Sequence, residues 1–234
     1  MESAELDDLI QDLGISQDQI LREEAELVIL TVLASHTLGE KVVFYGGTAL
    51  RLAYNSPRFS EDIDLLQKDN LSFAMFEDFV HRVNKENTHW KLADIKEKRH
   101  TFFALFTIES PFLKHNFSVK IELHIPQKRT PLETRLALIK SPASVLQPLV
   151  AVPTLEELER LKRDALLRRK KARDLFDLWY IAQSLRTPVA FPEKLPDFSK
   201  RAFVNELKVF LPKKYYPVIE EIYEHAYRKN GKHS

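Results

Sequence analysis

Apolar residues recur along this chain with two different periods, and the change from one to the other divides it. Near the N-terminus, Ser16 with Asp18 and Gln19 can cap a helix, and Ile20, Glu24, Leu27, Leu30 and Leu33 continue at helical spacing toward Gly39. A short β-type run follows, Val42-Val43-Phe44-Tyr45, closed by Gly46-Gly47. Residues 48–53 are strong helix formers and stop before Asn55-Ser56-Pro57. Ile63, Leu65 and Leu66 mark a second strand, with Asp62 and Asp64 alternating against them. Residues 73–83 predict a helix carrying Phe76, Phe79, Val80 and Val83 on one side, and 90–96, 101–108 and 117–125 predict three further strands. Pro126, Pro131, Pro142, Pro148 and Pro153 then predict a long connection rather than a regular element. From Thr154 onward the period is helical, through Leu155, Leu158, Leu161, Leu166, Leu175, Leu178 and Ile181. The expected organisation is α+β, with a domain over 1–148 and a helical domain over 149–234; after Pro188 no motif stands out.

Composition narrows the chemistry. The 234 residues contain no cysteine, which removes disulfides, thiol nucleophiles and cysteine-bound zinc together. Lys+Arg 35 against Asp+Glu 34 leaves a net charge of +1, so the chain as a whole is no polycation. The acidic start, Met1-Glu2-Ser3-Ala4-Glu5, does not resemble a signal peptide, and the apolar stretch 27–38 is too short to span a bilayer. A cytoplasmic protein is the expectation. Glycine is scarce: Gly14, Gly39, Gly46, Gly47 and Gly231. Gly14 and Gly39 fall where helices end and Gly231 lies in the tail, which leaves the adjacent pair to be explained.

Four groups of residues carry candidate chemistry. Phe44-Tyr45-Gly46-Gly47-Thr48 runs from a strand through a glycine turn into a helix, whose N-terminus offers N–H groups to an anion such as phosphate. A tight turn without ligand has the same residues, and neither the dinucleotide fingerprint nor the P-loop is present. In Ser60-Glu61-Asp62-Ile63-Asp64-Leu65, side chains two apart share a face, so Asp62 and Asp64 point together and away from the core. Two carboxylates about 4 Å apart repel by roughly 4 kcal/mol at an effective dielectric near 20, which calls for a proton, a basic partner such as Arg58, or a hard cation such as Mg²⁺. In the alternating run 119–125, Lys120, Glu122 and His124 occupy one face. Glu122 completes a carboxylate triad if this strand neighbours that of Asp62, although a half-exposed strand alternates in the same way. The stretch 160–174 is dense in Arg and Lys, which suits nucleic acid or a polyphosphate unless it is a solvated helix face.

In this order the pieces resemble the AbiEii/AbiGii family of abortive-infection nucleotidyltransferase toxins. The resemblance rests on Gly46-Gly47-Thr48-Ala49-Leu50, on the run from Arg58 to Leu65, on Lys162, Ala165, Leu166 and Arg169, and on Arg173-Asp174-Leu175-Phe176-Asp177-Leu178. It implies a polymerase-β-like nucleotidyltransferase core. It implies catalytic roles for Asp62, Asp64, Lys162 and Asp174, with Mg²⁺ held by Asp62 and Asp64 and, by strand order, Glu122. Gly46, Gly47, Thr48, Ser60 and Lys162 would hold the NTP. Family members are toxins of toxin–antitoxin pairs, and some add nucleotides to the 3′ end of tRNA. The expected partners are therefore an NTP, an RNA acceptor and an antitoxin protein. The same core acting on a protein or small molecule, and a non-catalytic RNA- or partner-binding module, remain alternatives.

Overall fold

Ser16 and Gln19 form the cap their spacing predicts. The Ser16 hydroxyl accepts the Gln19 N–H at 3.3 Å and the Gln19 side chain accepts the Ser16 N–H at 2.9 Å, starting α2 (Gln17–Ala34). α1 (Ser3–Leu13) precedes it and ends at Gly14, whose φ of 63° is left-handed. The structure, a computed structural model, describes residues 3–128 and 130–228, so Gly231 lies outside the described residues. The chain divides into two units: residues 1–55 with 60–153, and residues 56–59 with 154 onward.

The first unit is mixed α+β. After α2, a 3-10 turn (Thr37–Lys41) leads into β1 (Val42–Tyr45), α3 (Gly46–Tyr54), β2 (Asp62–Gln67), α4 (Phe73–Glu86), β3 (Trp90–Lys98), β4 (Thr101–Ile108) and β5 (Phe117–His124). These strands form one sheet in the order β1-β2-β5-β4-β3. Only the β2–β5 pair is parallel. β4 and β5 alternate strictly between buried and half-buried positions, so one face of the sheet is apolar. Ile63, Leu65, Ala104, Phe106, Val119 and Ile121 on that face share a core with Leu27 and Leu30 of α2 and Phe76 and Phe79 of α4. Each fully buried Leu, Ile or Phe side chain contributes about 1.5–3 kcal/mol, which fixes which face of β2 turns inward.

The proline-rich stretch is not the structureless connection its prolines predict. β6 (Thr134–Leu138) and β7 (Leu149–Pro153) pair antiparallel as a separate two-stranded sheet. The prolines lie outside these strands, except for Pro153 at the last position of β7. β7 is apolar on both faces, and β6 opens with Thr134 and Arg135 and then runs apolar, so neither shows the alternation by which a half-exposed strand is recognised.

The second unit is helical, built from α5 (Leu155–Arg169), α6 (Ala172–Leu185), α7 (Lys200–Phe210) and α8 (Tyr216–Arg228). Thr154 and Ser199 cap α5 and α7 through their hydroxyls. The stretch 160–174 is not one helix. Lys170 adopts φ 51° and its N–H closes on the Leu166 carbonyl, ending α5 before α6 begins. Phe176, Phe203, Leu207, Ile219 and Ile222 form this unit's core. The Tyr227 and Tyr223 hydroxyls donate to the Pro196 and Phe198 carbonyls, tying down the segment before α7. The short segment 56–59 belongs here through the Phe59 N–H, which donates to the Phe210 carbonyl at 2.8 Å.

One buried group in the first unit goes against its surroundings. Glu26 on α2 is fully buried, and neither carboxylate oxygen has a hydrogen-bond partner. Burial above all, reinforced by the Glu23 charge, raises its pKa well above the ordinary 4.5. A carboxyl protonated in the folded chain and ionised in the unfolded one makes stability fall as pH rises above about 4.5. Glu26→Gln is therefore expected to stabilise the protein at pH 7.5 by on the order of 1 kcal/mol, a few degrees in melting temperature. The difference should shrink toward pH 4.5. Thermal melts of both proteins across that range check this, and coincident melts at pH 7.5 would refute it.

Candidate active site

The glycine pair is explained by its neighbour across the sheet. β1 ends at Tyr45, which pairs with Asp64 of β2, and Gly46 opens α3 with φ 87°. A Cβ on Gly46 would lie 2.2 Å from Asp64 Oδ2. Glycine is thus required for the backbone conformation and again for the space that the Asp64 carboxylate fills. Thr48 is fully buried, and its hydroxyl donates to the Asp62 carbonyl at 2.6 Å, fastening α3 to the start of β2. Ser60 lies just before β2 and is half-buried.

Asp62 and Asp64 share the face of the sheet opposite the core, as the strand period predicts, while Ile63 and Leu65 are buried. The parallel pairing of β2 with β5 sets Asp64 beside Glu122 and Asp62 beside Lys120, so all three acids stand on one face. The next strand adds Phe103 beside Glu122 and Leu105 beside Lys120. Lys120 Nζ lies 3.1 Å from both Asp62 Oδ2 and Glu122 Oε2, bridging the two. Burial alone would lower the Lys120 pKa, but the two carboxylates outweigh it and raise it above 10.5, so the ammonium stays charged. Lys96 and Lys98 place their ammonium groups 4.9 and 4.3 Å from the Phe103 ring centroid.

Among the described residues no group of three or more acidic or histidine side chains is arranged to hold a metal ion. The Lys120 ammonium stands between two of the three candidates. The donor set nonetheless suits Mg²⁺, which takes oxygen ligands and is held by one or two carboxylates plus substrate phosphates rather than by an all-protein cage.

The remaining candidates belong to the helical unit. Lys162 is buried on α5, with Nζ 2.5 Å from Asp177 Oδ2 and 3.6 Å from Asp174 Oδ1. Asp174 accepts two hydrogen bonds from Arg169, at 2.8 and 2.6 Å. Arg58 makes a two-pronged pair with Asp177, at 2.6 and 2.9 Å, and also donates to the Phe59 carbonyl at 2.9 Å. Arg58 therefore serves Asp177, and the cation beside the Asp62 carboxylate is Lys120. Burial by itself would raise the Asp177 pKa, yet Arg58 and Lys162 together overcome it and lower it to about 2. Elsewhere on α5, Arg160 pairs with Glu157, and Arg163 with Glu159. The dense positive charge of 160–174 is thus partly compensated by acids.

Lys120 and Phe103 are the site neighbours that motif reasoning passes over. Strict alternation already places Lys120 on the acidic face, but only the strand register shows that it bridges. Phe103 becomes a neighbour of Glu122 only through the β4–β5 pairing, which no local pattern encodes.

Residues 28–222 match the family described as nucleotidyl transferase AbiEii toxin, type IV TA system. No curated protein matches the chain. Two solved structures from Helicobacter pylori share the fold. JHP933 is 20% identical with a TM-score of 0.55, the match covering 93% of this chain and 82% of that one. A proposed nucleotidyltransferase is likewise 20% identical with a TM-score of 0.55, covering 94% and 85%. No described helix is long and apolar enough to cross a membrane.

Two substitutions test this geometry. Gly46→Ala meets both the positive φ and the Asp64 carboxylate, and should destabilise the protein by about 1–3 kcal/mol, read as a fall in melting temperature. An unchanged melt would contradict the close packing of Gly46 on Asp64. Asp177→Asn leaves Arg58 and Lys162 buried without their shared anion, and should cost about 3–5 kcal/mol at neutral pH. A lowered carboxyl pKa gives stability that is present above the ordinary 3.8 and is lost as pH falls toward 2. The gap between wild type and Asp177→Asn should therefore close over that interval in acid-unfolding curves.

Proposed function

The chain belongs to the AbiEii nucleotidyltransferase toxin family, and from that membership we propose that it transfers a nucleotide from an NTP to an RNA acceptor, the 3′ end of tRNA, on a polymerase-β-like core. The observation that carries this reading is the acidic face of the sheet: Asp62 and Asp64 on β2, Glu122 in register on β5, and the start of α3 packed against Asp64. Mg²⁺ held by Asp62 and Asp64, with Glu122 third, would supply charge neutralisation at the nucleotide phosphates and activation of the attacking hydroxyl, as in two-metal phosphoryl transfer.

This chain's own residues do the rest. Lys120 offsets the repulsion between Asp62 and Glu122 before nucleotide binds. The backbone N–H groups at Gly46, Gly47 and Thr48 open α3 without a side-chain cap from Tyr45, and offer donors to the triphosphate. Ser60 stands at the approach to β2, within reach of the same nucleotide in this reading. The acceptor hydroxyl attacks the α-phosphorus in line and gives its proton to water, its oxygen forms the new P–O bond, and pyrophosphate leaves with the electrons of the bond that breaks. For Lys162 and Asp174 we favour the ion network of the helical unit as their role, since each already has charged partners there. An antitoxin protein is the partner that family membership leads us to expect.

The acid-paired arginines of α5 favour a second reading, in which the same core modifies a protein or small molecule. Incubation with each α-labelled NTP in Mg²⁺ and separate RNA, protein and small-molecule acceptors distinguishes the two. Label is expected on tRNA, and Asp64→Ala should lower incorporation by at least about 10³-fold with an unchanged circular dichroism spectrum. Full incorporation by Asp64→Ala would overturn the site, and label on protein alone would overturn the RNA acceptor.

A further inference from the structure

The carboxylate face of the five-stranded sheet does not end at its acids. Tyr45, Asp64, Glu122, Phe103 and Lys96 are successive register partners across β1, β2, β5, β4 and β3, so they form one row on that face. With neighbouring strands about 5 Å apart, Phe103 is one strand from Glu122 and two from Asp64. The core takes the alternate residues Phe102, Ala104 and Phe106, and Phe103 lies outside it. Its half-buried ring instead carries the Lys98 ammonium at 4.3 Å and the Lys96 ammonium at 4.9 Å from its centroid. Lys96 also pairs with Asp94. The turn after β3 adds Arg99, and Lys96, Lys98 and Arg99 are all exposed, with Glu97 the only acid between 96 and 100.

Strand order gives this row two different sides. The start of α3, with its N–H groups, follows β1 and adjoins Asp64, whereas Phe103 and the lysines lie beyond Glu122 on the other side of the acids. In-line displacement needs the attacking and the leaving oxygen on opposite sides of the α-phosphorus. A triphosphate whose pyrophosphate end rests on the start of α3 is therefore attacked from the Glu122–Phe103 side. What stands there is an aromatic ring with two ammonium groups on long stems. Single-stranded nucleic acid offers the counterpart, a base for the ring and phosphates for the ammonium groups. An acidic peptide matches the ammonium groups but brings no base to the ring.

We propose that Phe103, Lys96 and Lys98 hold the 3′ end of the acceptor RNA, a base stacking on the ring and the ammonium groups turning from it to the adjacent phosphates. This rests on the nucleotide-transfer reading of the Asp62–Asp64–Glu122 face, which supplies the direction of attack. Within that reading the row is divided: its β1–β2 end takes the incoming nucleotide and its β4–β3 end takes the acceptor. The three residues are positioning groups, since they hold the acceptor and leave the reacting atoms to the acids. Every base has a π-face for the ring, so this subsite selects a single-stranded end rather than a sequence.

Fluorescence anisotropy of a labelled single-stranded RNA of about 12 nucleotides, titrated with the full chain in the absence of NTP, tests it directly. Phe103→Ala should weaken binding about 5- to 100-fold, and Phe103→Tyr, which keeps the ring, should bind as the wild type does. Lys96→Ala/Lys98→Ala should weaken binding and lessen the slope of log Kd against log salt by about 1.4, the share of two phosphates on a single strand. That slope responds to lost phosphate contacts and not to a loosened fold. The lysine variant, altered only at exposed side chains, keeps the test valid if Phe103→Ala fails to fold. In the transfer assay the same variants should raise the KM for tRNA and leave the KM for NTP unchanged. A wild type that does not bind the RNA, wild-type affinity in Phe103→Ala, or an unaltered salt slope in the lysine variant would overturn the proposal. A rise in the KM for NTP alone would give the ring to the incoming base and overturn it as well. If the wild type labels tRNA while these variants bind and turn over as it does, the acceptor subsite falls and the transfer reading stands. If the wild type labels nothing yet binds RNA through Phe103 and the lysines, the transfer reading falls and the RNA site stands.

Discussion

Two carboxylates on one face of a strand repel each other, and the first unit is arranged around what offsets that repulsion. Burial of Ile63 and Leu65 forces Asp62 and Asp64 to the opposite face, so the fold cannot relieve the repulsion by turning either of them away. Lys120 stands beside Asp62 on the neighbouring parallel strand and bridges to Glu122. Asp64 is accommodated differently, in space that exists only because Gly46 lacks a side chain. The buried Thr48 hydroxyl then fixes α3 on the Asp62 carbonyl. Sheet face, glycine turn and helix start are thus parts of one constraint.

Two fully buried acids, Glu26 and Asp177, are treated in opposite ways. Asp177 is as deeply buried as Glu26, yet it is held ionised by Arg58 and Lys162 at hydrogen-bonding distance. Glu26 has no hydrogen-bond partner and is held protonated by burial and by the Glu23 charge. What decides the outcome is direct contact with a cation, because desolvation pushes both carboxyls the same way. The Asp177 network therefore specifies how segment 56–59 joins the helical unit, through Arg58 and the Phe59 backbone. Glu26 remains a cost within the first unit's core.

Family membership supports nucleotide transfer, while the acid-paired arginines of α5 show that a basic run in sequence is not by itself an RNA surface. Arg160 and Arg163 spend their charge on acids one turn away, and Lys162 is turned inward. Sequence density of charge overstates the field a helix presents when its acids sit at i−3 and i−4.

Local pattern by itself determined much of this protein. The capping box at Ser16, the alternation in β4 and β5, the shared face of Asp62 and Asp64, and the helical period after Thr154 all follow from rules acting over a few residues. The glycine pair was legible as a strand-to-helix turn for the same reason. Tertiary structure decided what depends on residues distant in sequence. It made β6 and β7 strands although neither alternates, because one face could enter a core supplied by other elements. It set Glu122 beside Asp64 and put Lys120 between the acids, since strand order and register are global choices. It turned Lys162 and Asp174 toward Asp177 and Arg169, a network closed by Arg58 from more than a hundred residues away. Period and capping are encoded locally because they depend on backbone geometry; which charges meet depends on packing, and packing is settled only when the whole chain has folded.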